Sequence, residues 1–288
     1  MVQIQDVAAS VVVGVDGSRA AIDAALWAVD EAVGCDIPLR LVYAIDPGEG
    51  RDTDAQDIAR EFAAAETAVR CAAIAVESTG KPVKIEAEIL RGRPLHALLA
   101  ASRNAAMLCV GSIGIEHFRD GRVGSTAAEL STAAHCPVVV VRGVDPVLSA
   151  RRGVAVVLDE AGDDAALRHG FDEARLRGAS LRVMAIWQSQ YTDSRDDHAV
   201  ADGNRHVKAA LERRLELWRT NYPELDVAAV ALHGSPLRYL VEHGDSLQLL
   251  VVAHERGQAI KELLGRPGSA ALHHANCSVL IAEPRNIL

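Results

Sequence analysis

Gly111, Gly114, Gly121 and Gly124 crowd the stretch VGSIGIEHFRDGRVGST (110–126), with Ser125 and Thr126 behind the last of them. An apolar run, AMLCVGS (106–112), leads in, and a helix-like segment, STAAELSTAAH (125–135), leads out. Gly111 and Gly114 can adopt positive φ, and without a Cβ they let peptide N–H groups approach a ligand. Gly124-Ser125-Thr126 opens a helix whose first N–H groups lack intrahelical partners and whose dipole favours an anion. The two hydroxyls add donors. The chemistry this spacing suits is a phosphate cradle, against the plainer alternative of a glycine-rich loop with an ordinary Ser/Thr cap. His117 and Arg119 lie inside the loop, placed either to reach phosphates or simply to be solvated.

A carboxylate, Asp16, ends another apolar run, SVVVGVDGS (10–18). It would repel phosphate, so its ligand partner would be a sugar hydroxyl or a base amine; D-G-S is also a good turn sequence. Reaction chemistry is not evident. The loop lacks the lysine of G-x4-G-K-[ST], there is no G-x-S-x-G elbow, and His96, His117, His135, His254, His273 and His274 form no zinc spacing. No catalytic residue and no metal ligand is assigned. Asp52, Asp54, Asp57 and Glu61 read as a solvated helix start that complements the helix dipole, and DSRDDH (193–198) as an exposed loop.

Positioning these groups requires strands and helices in alternation. VVVGV, LRLVYAI, VKIEAEIL, AMLCVGS and PVVVVR read as five strands. Between them run RAAIDAALWAVDEAV, ending at Gly34; a long Ala-rich helix closed by Gly80 and Pro82; PLHALLAASRN; and the segment after Gly124. Near-continuous apolar strands separated by helices predict a parallel sheet covered on both faces, a doubly wound α/β domain. Ligands of such sheets sit beyond the carboxyl ends of the strands, where strand order reverses. Val15-Asp16-Gly17-Ser18, Tyr43-Ala44-Ile45 and the glycine loop converge there.

The chain then repeats itself. Asp16 is answered by Asp159, RGRPLHALL (91–99) by HGSPLRYLV (233–241), LCVGS (108–112) by LVVAH (250–254), and HCPVVVV (135–141) by NCSVLIA (276–282). Two tandem domains are expected, 1–144 and 152–288, with a linker at 145–151. In the second, Gly265 stands where Gly124 does, but Arg266 replaces Ser125, Pro267 removes an N–H, Ala253 replaces Gly111 and the loop is shorter by one. Glu160 and Ala161 replace Gly17 and Ser18. A shifted frame through Gly257 and Gly268-Ser269 stays open. This half reads as mainly structural, or as binding something smaller.

These residues resemble the universal stress proteins. G-SI-G-IEHFRDGRV-G-S matches the G-x2-G-x9-G-[ST] signature of that family's ATP-binding branch without gaps, and VVVGVDGS and HCPVVVVR match as well. The resemblance implies five parallel strands per domain in the order 3-2-1-4-5. It also implies that Asp16, with Gly17 beside it, contacts a nucleotide and that backbone near Val15 and Ala44 receives adenine. Gly111, Gly114, Gly124, Ser125 and Thr126 would hold ribose and phosphates, flanked by Val110 and Val123. ATP, with or without Mg2+, is the implied cofactor. The apolar fifth strands, VVVVR and VLIA, would be sticky if left open; such edges pair in the resembled family, which implies that the two domains pair about a pseudo-twofold and that whole chains form a homodimer.

Composition limits the rest. The 288 residues suit two domains, and 49% hydrophobic with 3% aromatic content predicts cores of Ala, Val and Leu. A net charge of −9 offers no nucleic-acid footprint. No apolar run approaches the ~20 residues of a membrane span. The N-terminus MVQIQDVAAS lacks the pattern of a secretory signal, and five scattered cysteines read as reduced, buried thiols of a cytoplasmic protein. The expected function is a nucleotide-dependent regulator in stress response or growth control, acting on an unidentified regulatory protein partner. The alternatives are a slow ATPase or adenylate-handling enzyme and a nucleotide-independent interaction module.

Overall fold

A computed structural model describes residues 9–46, 54–114, 123–143, 152–158, 164–188, 197–253 and 257–282. The chain divides into two compact units, Met1–Val144 and Asp145–Leu288. The expected linker, Asp159, Glu160, Ala161, His117, Arg119, Gly121, Asp52 and His254 lie outside the described residues.

In the first unit, β1 (Ser10–Gly14) is buried on both faces and pairs in parallel with β2 (Leu39–Ile45) and β4 (Ala105–Gly111). β3 (Ile85–Arg91) joins β2, and β5 (Val138–Val141) joins β4, giving the order β3-β2-β1-β4-β5. The expected topology is therefore present, and the reversal point lies between the carboxyl ends of β1 and β4. Four helices cover the sheet: α1 (Arg19–Cys35) beside α2 (Ala55–Glu77), and α3 (Pro94–Ser102) beside α4 (Ser125–Ala133). The packing face of α1 is mostly alanine (Ala21, Ala24, Ala25, Ala28, Ala32), which lets the helix sit close to the sheet.

Gly34 does not end α1. The stop is Asp36, at φ 53, whose N–H bonds Ala32 and Val33 carbonyls. A glycine one residue inside the helix is tolerated, because the left-handed cap is formed further on by an aspartate, a residue type that visits this region. Gly80 does take the left-handed conformation, at φ 66, just beyond α2. Asp54 caps α2 by accepting from Gln56 N–H, and Asp57 pairs with Arg60 at 3.1 Å, so these two serve the helix start as expected.

The second unit repeats the design with β6 (Gly153–Leu158), α5 (Asp164–Arg177), β7 (Leu181–Trp187), α6 (Asp197–Asn221), β8 (Val227–His233) and α7 (Pro236–His243). β9 (Leu247–Ala253), α8 (Gly257–Leu264), α9 (Arg266–Ala275) and β10 (Ser278–Ala282) complete it, in the order β8-β7-β6-β9-β10. The registers coincide as well: Val11 pairs Leu39 as Val154 pairs Leu181, and Val12 pairs Leu108 as Ala155 pairs Leu250. α8 falls in a stretch read from sequence as loop. Its signal was Ile260, Leu263 and Leu264 at helical spacing, with Ile260 and Leu263 buried.

The buried residues are dominated by Ala, Val and Leu, with Phe171, Trp187 and Tyr239 as the aromatic exceptions. Phe171 of α5, fully buried, packs against Trp218 of α6 and against Tyr222 just past its end, at centroid distances of 5.1 and 4.9 Å. Cys109, Cys136 and Cys277 are buried thiols as expected, but Cys35 and Cys71 are exposed, because each lies on the outer side of its helix. Among the described residues, no helix is long and apolar enough to cross a membrane.

Candidate functional site

The first unit carries a cavity of about 460 Å3 at the carboxyl ends of β1, β2 and β4. That is within the usual range of small-molecule sites. Nine residues proposed from sequence line it: Val15, Asp16, Ala44, Val110, Gly111, Gly114, Gly124, Ser125 and Thr126. Gly17 and Val123 are not in its lining. Gly17 is exposed at φ 86 and forms the tight turn between Asp16 and Ser18. In that turn Asp16 Oδ1 accepts from Ser18 N–H at 2.9 Å, and Ser18 Oγ caps α1 by accepting from Ala21 N–H at 3.1 Å. Both readings of Asp16 thus coexist: one oxygen makes the turn while the carboxylate still faces the cavity.

The three described glycines of the loop do different jobs. Neither Gly111 nor Gly114 has positive φ, contrary to the expectation. Gly111 ends β4 in strand conformation against α1, where a Cβ would lie 2.6 Å from the Ala20 carbonyl carbon and 2.8 Å from its oxygen. Its need is close packing. At Gly114 a Cβ would meet Asp16 Oδ2 at 2.8 Å, so that glycine leaves the carboxylate its place. At Gly124 the nearest atoms to a Cβ among the described residues would be Gly114 N and Ser112 O, both 3.9 Å away, so these leave room for a methyl group.

Ser112 ties this arrangement together. Its N–H donates to Val141 O at 3.0 Å and its carbonyl accepts from Gly124 N–H at 2.9 Å, which fixes the start of α4 beside the end of β4. Gly124 is the N-cap of α4, and no side chain bonds the helix start. The first intrahelical bond is Ala128 N–H to Gly124 O at 3.0 Å, so the amides of Ser125, Thr126 and Ala127 are left for another acceptor. All three residues line the cavity.

Sequence reasoning missed the opposite wall. Asp46, Pro94, Leu98 and Ile113 line the cavity, as does Tyr43, which stands in the stretch expected to converge there. Pro94 and Leu98 come from α3, and Leu98 packs over Gly14, whose Cβ would stand 3.0 Å from Leu98 Cδ1. Burial pushes the Tyr43 phenol above its ordinary range, and the Asp16 and Glu61 carboxylates push it the same way. Glu61, half-buried on α2, is thus near enough to act on Tyr43. Among the described lining residues the charged side chains are Asp16 and Asp46.

The matching place in the second unit is built otherwise. From the shared registers, Val157 stands where Gly14 does, Met184 for Val42, Ile186 for Ala44 and Ala253 for Gly111. Every replacement is larger, and all four are buried. Gly265 caps α9 as Gly124 caps α4, followed by Arg266 and Pro267. The shifted frame fails. Gly268 and Ser269 lie inside α9, buried, where α8 comes so near that a Cβ on Gly268 would sit 2.4 Å from the Glu262 and Leu263 carbonyl oxygens. Ser235 Oγ donates to the Glu262 carboxylate, linking the cap of α7 to α8.

Residues 9–142 and 151–283 each match the universal stress protein family. The chain belongs to that family. Universal stress protein Rv2028c of Mycobacterium tuberculosis is 43% identical over 274 residues, spanning 94% of this chain and 95% of that protein. Universal stress protein Rv3134c of the same organism is 45% identical over 267 residues, spanning 92% and 95%. The crystal structure of a universal stress protein from Archaeoglobus fulgidus superposes with a TM-score of 0.71 at 16% identity, covering 96% of this chain and 97% of that one. At that identity the likeness speaks for the universal stress protein fold. Other histidines of this universal stress protein are surface groups: His96, His135, His273 and His274 are exposed. Among the described residues no group of three or more His, Cys, Asp or Glu side chains is disposed to hold a metal.

Proposed function

We propose that the first unit binds ATP and that the protein acts as a nucleotide-dependent regulator. Family membership supports a role in stress response. The observation that carries the nucleotide reading is the order of groups across one cavity. The β2 side offers Tyr43, Ala44, Pro94 and Leu98, an apolar wall suited to a base. Asp16 follows at the end of β1, an acceptor suited to sugar hydroxyls. The glycine loop and the uncapped start of α4 come last, suited to phosphates. Base, sugar and phosphate are joined in that sequence.

Backbone amides and two hydroxyls must meet a triphosphate's charge, with no lysine or arginine among the described lining residues. Mg2+ would accordingly arrive on the phosphates as part of the nucleotide, as is usual for this ion. The enlarged residues Val157, Met184 and Ile186 speak against the same ligand in the second unit. Ala253→Gly is therefore expected to leave the ATP stoichiometry at one per chain by isothermal titration, since one methyl group is the smallest of the four obstacles.

Native mass spectrometry of the purified chain, followed by a thermal-shift series and an ATP turnover assay, tests the proposal. ATP at 100 times its Kd should stabilise the first unit by about 2.7 kcal/mol. Ser125→Ala should weaken binding about fivefold, the share of one net hydrogen bond. Bound ATP without turnover supports regulation, and fast turnover replaces it with an ATPase. A chain that neither carries nucleotide nor shifts with ATP is an interaction module. Sizing the intact chain by analytical ultracentrifugation tests the homodimer proposed from the apolar fifth strands.

A further inference from the structure

The apolar face of α2 is not covered along its whole length. The helix has 23 residues and spans about 35 Å, whereas the 7 residues of β2 span about 23 Å, so the helix outruns the strand it packs on. Ala65, Ala68, Val69, Ala72 and Val76 bury that face. Ile58 and Phe62 continue it toward the helix start, yet they are 37% and 39% exposed. No other two exposed large apolar side chains among the described residues stand on adjacent turns of one helix. Four-residue steps put Asp54, Ile58, Phe62 and Glu66 on one ridge, so a carboxylate stands at each end of the apolar pair. Arg60 is the one basic residue between 54 and 66, and Asp57 already pairs with it at 3.1 Å.

The second unit closes the corresponding place with a ring of its own. Trp187, the last residue of β7, stands where Ile45 ends β2. Its indole lies against Gly203 near the start of α6 and donates to Asn204 Oδ1 at 2.8 Å, which leaves Trp187 8% exposed. Ile45 has no ring to extend in this way, and the start of α2 keeps its apolar pair at the surface. We infer that this ridge docks a partner protein through an aromatic side chain flanked by lysine or arginine. The ring supplies the cover that Trp187 gives the second unit, and the flanking cations meet Asp54 and Glu66. An apolar anchor inside a charged rim is the usual anatomy of such a contact, with the charges setting partner choice and salt dependence. Docking here needs no nucleotide, so it can fail or succeed separately from ATP binding.

The experiment selects a phage-displayed random peptide library on the full chain, after depletion on the Phe62→Ser protein, and titrates the labelled consensus peptide by fluorescence anisotropy. Retained peptides should carry Trp, Phe or Tyr between basic residues. Phe62→Ser should weaken the consensus peptide about tenfold. Glu66→Lys should weaken it about fivefold, a loss that fades in about 1 M salt. Ile74→Ser removes an exposed apolar side chain elsewhere on the same helix and should leave affinity within about twofold. Glu66 is exposed, so Glu66→Lys carries the test should Phe62→Ser fail to fold. A library that yields no peptide overturns the inference, as does an acidic or ring-free consensus, or one that both variants bind like the wild type. A concentration-dependent dimer of the wild type that Phe62→Ser abolishes would assign the ridge to a second copy of the chain, and overturns it too.

Discussion

Gly111→Ala should lower the unfolding free energy of the first unit by about 2 kcal/mol, while Gly124→Ala should change it by less than about 1 kcal/mol and weaken ATP binding about tenfold. The two glycines occupy corresponding ends of one motif, yet their surroundings differ. The methyl group added at 111 would overlap backbone atoms of Ala20 at 2.6–2.8 Å, and backbone cannot move aside without shifting α1 against β4. Among the described residues the methyl group added at 124 meets no atom closer than 3.9 Å, and the nearest are Gly114 N and Ser112 O, the walls of the proposed phosphate cradle. Its cost falls on the ligand. Denaturant unfolding with and without ATP, paired with titration, separates the effects. A Gly124→Ala protein that binds ATP as the wild type does would remove Gly124 from the cradle, and a Gly111→Ala protein of unchanged stability would contradict the packing seen here.

The largest stability loss is expected for Phe171→Ala, about 3–5 kcal/mol on the second unit. Phe171 is fully buried in a chain with few aromatic side chains, and it holds α5 to Trp218 of α6 and to Tyr222 just past the end of that helix. Tyr222 is fixed in turn by donating to Asp172 at 2.9 Å, with Arg175 over its ring at 5.1 Å from the centroid. Alanine would leave a ring-sized hole that small neighbours cannot close. Tryptophan fluorescence during urea unfolding reports it directly, since Trp218 loses its stacking partner. A midpoint within experimental scatter of the wild type would show that the cluster is peripheral.

The second unit shows how far a motif comparison reaches. Arg266 and Pro267 at the start of α9 could be aligned with Ser125 and Thr126 by counting back from a cysteine, and the structure places them there. The filling of the floor by Val157, Met184 and Ile186 could not be weighed in the same way. Valine, methionine and isoleucine in a buried strand are unremarked until the register shows which residues they replace. Tyr43 stands in a stretch expected to converge on the site, but an aromatic residue in an apolar strand is ordinary and no role could be read for it there.

By itself the sequence determined the alternation of strands and helices, the tandem repeat, the reversal point at which a site would form, and the residues able to present bare amides there. These are properties of local backbone preference and periodic burial, which a linear chain records directly. Only the tertiary structure decided which glycine is held by close packing and which has open space beside it, and that the second crevice is lined by bulkier side chains. Those outcomes depend on the space left between residues far apart in the chain, such as Ala20 and Gly111, and that space exists only once the helices have settled on the sheet.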